Sequence, residues 1–107
     1  MKIFSVYILS SYPRGPLYIG VTSNLEKRIY EHRLGIKCAF SKKYSLHRLV
    51  YYEQTTDVQV ALAREKQLKR WRREWKNNLV EKMNPAWADL TDVGIPDLRQ
   101  TASGMTT

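Results

Sequence analysis

Apolar and aromatic residues fall into three short runs before residue 54 and then recur at helical spacing. Lys2–Leu9 (KIFSVYIL) and Leu17–Val21 (LYIGV) are rich in β-branched and aromatic residues and read as strands. Ser10–Pro16 between them holds two serines, Pro13, Gly15 and Pro16, a dense set of turn residues. The pattern predicts a β-hairpin with a longish loop. Thr22-Ser23-Asn24 supplies capping side chains for a helix over Leu25–Leu34, with Leu25, Ile29 and Arg33 on one face and Gly35 as its terminator. Ile36–Leu46 is a polar loop, and His47–Glu53 (HRLVYYE) is a third strand.

Thr55-Thr56-Asp57 caps a helical stretch that meets no Gly or Pro before Pro85. Leu68, Trp71, Trp75, Leu79 and Met83 recur in it every three or four residues, which predicts a buried stripe. Twenty-seven residues is long for one helix in so small a chain, so a break is expected near Arg70–Arg73. From Asp89 the chain turns acidic and then Ser/Thr/Gly-rich. The reading is one domain over residues 1–85 and a loosely packed or disordered extension over 86–107.

Composition narrows the class. A chain of 107 residues with 43% apolar content supports one modest core. The lone Cys38 excludes an internal disulfide and a cysteine-built zinc site. Apolar runs are too short for a membrane span or a signal peptide, so a cytoplasmic location is expected. Charge changes the picture more. The net charge is +8, and Arg64, Lys66, Lys69, Arg70, Arg72, Arg73, Lys76 and Lys82 form a stripe opposed only by Glu65, Glu74 and Glu81. Such a stripe attracts polyanions over roughly 8–10 Å, with strong salt dependence. On charge alone, RNA, DNA and anionic membrane stay open.

Seven positions suggest chemistry on phosphate. Tyr7 and Tyr18 lie on paired strands, where two phenols can flank a small polar centre. A phenol, with an ordinary pKa near ~10, accepts a proton from water only when a cation or metal lowers that value. Gly20 follows Tyr18-Ile19, and its missing side chain admits backbone or phosphate. Arg28 and His32, four residues apart, share a helix face. Arginine can hold phosphate oxygens and stabilise developing charge, and histidine can move a proton near neutral pH. Glu65 stands among cations as an ion-pair partner or a single-carboxylate ligand for Mg²⁺, and Asn77 can orient phosphate or Glu65. Each residue also has an ordinary structural reading as strand packing, turn or solvated helix face. No zinc spacing, phosphate-cradling glycine loop or nucleophile elbow is present.

Taken together, these residues resemble the GIY-YIG endonuclease superfamily, in particular its small single-domain bacterial members. Its first signature appears as Val6-Tyr7-Ile8 and its second as Tyr18-Ile19-Gly20, followed by Arg28, His32, Glu65 and Asn77 in order. The first motif lacks the family's glycine. The resemblance implies an α/β (α+β) fold, a small three-stranded antiparallel sheet flanked by helices. It also implies a metal-dependent DNA endonuclease using Mg²⁺ or Mn²⁺ held by Glu65. Tyr18 or Tyr7 would help deprotonate water, Arg28 would stabilise the transition state, His32 would orient or relay the proton, and Asn77 would position its neighbours. Lys42, Lys43, Arg64, Lys69, Arg70, Arg72, Arg73 and Lys76 would grip the backbone of the DNA, branched or single-stranded forms included. The alternative is a nucleic-acid binding module that keeps the fold and has lost useful catalysis.

Overall fold

A computed structural model describes residues 2–34 and 46–93. Its elements run β1 (Phe4–Ser10), β2 (Leu17–Thr22), α1 (Leu25–Arg33), β3 (Arg48–Thr55), α2 (Val58–Arg70) and α3 (Arg73–Met83), then a 3₁₀ turn at Leu90–Val93. The strands form one antiparallel sheet in the order β2-β1-β3, so the first strand is the central one. The fold is α+β, as the sequence predicts, with each strand within two residues of its expected ends.

Side chains alternate across a strand, and each face of this sheet has its own cover. On one face Val6, Ile8, Ile19, Val50 and Tyr51 pack with Ala61 and Leu68 of α2 and Val80 of α3. On the other, Tyr7, Leu9 and Leu49 pack with Leu25 and Ile29 of α1 and with Leu46. A register shift between Ile8 and Leu9 on the β1–β3 side keeps the alternation in step with both layers.

The caps explain where the helices start. Asn24 Oδ1 accepts from the Lys27 amide at 3.2 Å, and Asp57 Oδ1 accepts from Gln59 and Val60 at 2.9 and 3.4 Å. The predicted break is present: Trp71 and Arg72 are extended, with ψ of 150° and 156°, and separate α2 from α3. Arg73 ties α3 to the hairpin loop by donating to the Arg14 carbonyl at 2.6 Å and to the Gly15 carbonyl.

Two expectations need correction. The stripe on the last helices is not uniformly buried: Leu68 is fully covered and Trp71 and Leu79 partly, but Trp75 and Met83 are each 48% exposed. The break resets the helical phase, so Val80 rather than Met83 reaches the core. The packed domain also runs past residue 85. Trp87 is 2% exposed, joins the core, and donates its indole N–H to Glu81 Oε2 at 2.7 Å. Buried Asn84 donates to the Val50 and Ala88 carbonyls at 3.1 and 2.8 Å. Asp89 accepts from the Leu49 amide at 3.3 Å and from Arg33 at 2.8 Å. Residues 84–91 thus strap the outer edge of β3, an edge that otherwise offers unpaired backbone groups.

Candidate active site

Pairing of β1 with β2 places Tyr7 opposite Gly20, and pairing with β3 places Tyr52 on its other side. The Tyr7 ring lies across Gly20. A Cβ there would sit 2.6 Å from the Tyr7 hydroxyl oxygen, 2.8 Å from Cζ and 3.0 Å from a ring carbon of Tyr18. Gly20 is therefore the space into which the two phenols fit.

Helix α1 brings the other partners. Arg28 and His32, one turn apart, both point at Tyr7. Arg28 Nε donates to the Tyr7 oxygen at 3.3 Å, and that oxygen lies 3.0 Å from His32 Nε2. Because the phenol oxygen accepts from Arg28, its own proton can point at Nε2, which leaves a neutral His32 with its proton on Nδ1. The Tyr18 ring packs edge-on to His32 at 4.7 Å and lies 6.2 Å from that of Tyr7.

Burial separates the two phenols. Tyr7 has no exposed surface, whereas Tyr18 is only partly covered. His32 is 2% exposed, and burial together with the neighbouring Arg28 charge pushes its pKa down to about 4. It is neutral at physiological pH. The Arg28 pKa is raised, above all by its hydrogen bond to Tyr7, with Tyr18 and Glu31 adding to the effect. Glu31 holds the far side of the guanidinium at 3.2 Å. Beside Arg28 a groove of about 290 Å³ opens at the start of α1, lined by Thr22, Asn24, Lys27 and Glu31 among others. Two cations and a helix N-terminus suit it to an anion.

Tyr7, Tyr18, Gly20, Arg28 and His32 thus meet in one cluster. Glu65 and Asn77 sit on α2 and α3, the helices that cover the opposite sheet face. Glu65 is 20% exposed and pairs with Lys69 Nζ at 3.1 Å, and Asn77 Oδ1 accepts from Arg73 Nε at 3.2 Å. Among the described residues no three His, Cys, Asp or Glu side chains converge as a metal cage. A single carboxylate fits Mg²⁺ or Mn²⁺, which keep most of their water and share substrate oxygens; it does not fit structural zinc or a closed calcium site.

The cations proposed to grip DNA divide into groups. Arg64 is fixed by Glu53 at 2.9–3.1 Å and Gln67 at 2.7 Å, and Arg73 by the hairpin carbonyls. Lys69 pairs with Glu65, and Arg72 lies 3.6 Å from Glu74. Arg70 is exposed and Lys76 half-buried, its pKa lowered by burial and by Arg73. Lys42 and Lys43 lie outside the described residues.

Tyr52 and Glu31 complete the cluster, and neither is singled out by the sequence. Tyr52 is marked only by strand register, and Glu31 only by its i+3 spacing from Arg28.

Tyrosine and glycine facing each other across a hairpin, with arginine and histidine from the next helix, is the arrangement of a known catalytic domain. The GIY-YIG catalytic domain family matches residues 3–78, and this chain belongs to it. That places it in a nuclease superfamily. Its similar curated relatives are UPF0213 proteins. One from Haloquadratum walsbyi is 34% identical over 61% of this chain and 73% of its own length. Another, from Syntrophus aciditrophicus, is 38% identical over 75% and 91%. A third, from the VLF1-GP41 intergenic region of Autographa californica nuclear polyhedrosis virus, is 40% identical over 64% and 66%. No solved structure matches the chain significantly.

Proposed function

We propose that this protein is a divalent-metal-dependent DNA endonuclease. The observation that carries the reading is the linkage Arg28 Nε–Tyr7 oxygen–His32 Nε2, at 3.3 and 3.0 Å, beside the partly exposed Tyr18. The groove next to Arg28 receives the scissile phosphate, and Lys27 and Arg28 balance its charge. Tyr18, the phenol that water can reach, helps remove the proton of the attacking water. Tyr7 cannot meet water directly. It aims Arg28 and His32, and neutral His32, its Nε2 on the Tyr7 hydroxyl, orients that phenol. Arg28 stabilises the charge that develops on the phosphate oxygens. Glu65, on a helix that covers the other sheet face, would hold the ion, which when bound would supply charge neutralisation and a more acidic water to a substrate that reaches both. Asn77 positions groups around Glu65. Arg70, Lys76 and the loop lysines Lys42 and Lys43 contact flanking phosphates, which orients DNA without reading sequence.

Ser5 stands two residues before Tyr7, where the family's name has glycine. It is 3% exposed, sits opposite Thr22 and Gln54, and its Oγ accepts from Gln54 Nε2 at 3.5 Å. A residue so enclosed shapes the strand and does not touch substrate, which supports retained activity over the binding-module alternative.

The test is cleavage of labelled duplex, single-strand, flap and four-way-junction DNA, with Mg²⁺ or Mn²⁺ against EDTA. Wild type is expected to cut with metal only, and Glu65→Gln not to cut. Binding of every substrate with no cutting by wild type would favour the binding module. Equal cutting by both proteins would remove Glu65 from the site.

A further inference from the structure

Two tryptophans stand on the helix pair without a role in the cluster above. Trp71 closes the α2–α3 break and is half-buried, Trp75 is 48% exposed, and their rings meet edge to face at 5.9 Å. One exposed apolar side chain needs no explanation. Here the two rings line a groove of about 360 Å³, completed by Asn78, Leu79 and Lys82. That volume lies in the range of small-ligand sites, roughly 300–1,000 Å³. Cations frame it. The Arg64 guanidinium lies over the Trp71 ring, 5.2 Å from its centre, and that of Arg72 over the Trp75 ring at 5.3 Å.

We infer that this groove is a stacking subsite for one unpaired nucleotide of the substrate strand, its base on Trp75 and its phosphates against Arg72 and Lys82. A half-exposed indole takes a flat π surface when the Arg72 guanidinium swings from over the ring to a phosphate; a nucleotide in a single strand offers both base face and anion, and a base inside a duplex keeps its face covered. A second copy of this chain is a poor occupant, because its +8 charge would set cations against cations. The Asn78 amide both donates and accepts, so the subsite distinguishes unpaired from paired rather than one base from another. The groove lies on the helical layer and the tyrosine cluster on the other sheet face, so the nucleotide it holds is not the one that is cut.

The inference rests on the reading of the chain as acting on nucleic acid, yet binding and cutting are measured apart. The experiment is fluorescence anisotropy in EDTA with a labelled oligothymidylate, the same length of abasic strand, and a blunt duplex, against wild type, Trp75→Ala and Trp75→Phe. Trp75→Ala is expected to lose roughly fivefold to a hundredfold in affinity for oligothymidylate and to keep its affinity for duplex. Trp75→Phe keeps most of the single-strand affinity, and the abasic strand binds wild type as weakly as oligothymidylate binds Trp75→Ala. Circular dichroism checks that the variants fold. Unchanged oligothymidylate affinity in Trp75→Ala overturns the inference, and so does an equal loss on duplex. Self-association by sedimentation that Trp75→Ala abolishes, with single-strand affinity intact, overturns it in favour of a second copy. If the binding pattern holds while wild type cuts nothing, the nuclease reading fails alone; if wild type cuts and the pattern is absent, the subsite fails alone.

Discussion

Gly20 has no reserve of space, because its neighbours are the ends of two aromatic rings and one of them, Tyr7, is wholly enclosed. Gly20→Ala must push the Tyr7 hydroxyl away from Arg28 and His32. The expected cost is about 1–3 kcal/mol of stability in thermal or denaturant unfolding, the range for overpacked sites, together with slowed cleavage. Arg28→Ala is expected to cut the rate tenfold to a hundredfold, since each ~1.4 kcal/mol of lost transition-state stabilisation is a factor of ten. Single-turnover kinetics on a folded variant check it, and unchanged turnover would remove Arg28 from the chemistry. His32 carries a pH signature. Its folded pKa, about 4, lies below the ordinary 6.5, so the unfolded chain binds more protons between those values. The stability from burying it neutral is full above pH 6.5 and is lost as pH falls through 4. His32→Gln should flatten that part of the wild-type profile of melting temperature against pH. At this scale the phenols, arginine and histidine were legible from spacing. Burial was not, because it depends on which strand lies opposite: the sequence groups Arg33 with Leu25 and Ile29 on one face of α1, and the fold buries His32 with those two.

Strands and helix caps were readable because they depend on local chemistry: β-branched runs, Asn24, Asp57, and a helical stretch too long for its domain. The strap over β3 was not, because its signals are tertiary. Asn84 and Asp89 look like loop residues, and only folding brings their side chains to Val50 and Leu49. Two tryptophan variants separate the elements. Trp87→Ala should cost about 3–5 kcal/mol in denaturant unfolding, as for a buried aromatic. Trp75→Ala, at a half-exposed position outside the core, should move stability far less. Equal losses would mean that the helix pair rather than the strap holds that side of the domain.

Across the molecule, the count of 18 Lys and Arg overstates what DNA can meet. Arg14, Arg28, Arg33, Arg64, Lys69 and Arg72 each have a carboxylate within 3.6 Å. Glu81, with Arg14 and Trp87 as donors, has its pKa held down to about 2, so that junction keeps its charge through mild acid. The slope of log affinity against log salt for duplex is therefore expected well below about 16, the value if all 18 cations met phosphate. Titration of binding against KCl measures it, and a slope near that value would mean that these pairs open on DNA.

The order of strands has a consequence for synthesis. β1 leaves the ribosome before its two neighbours, yet it is the middle strand, and β3 begins only at Arg48. Until Trp87 and Asp89 follow, the nascent chain carries a hairpin with one bare edge and uncovered apolar faces. Compaction is therefore one late event near the end of translation of this domain, and messages cut short between β3 and Trp87 would yield chains that aggregate or meet a protease rather than smaller stable folds.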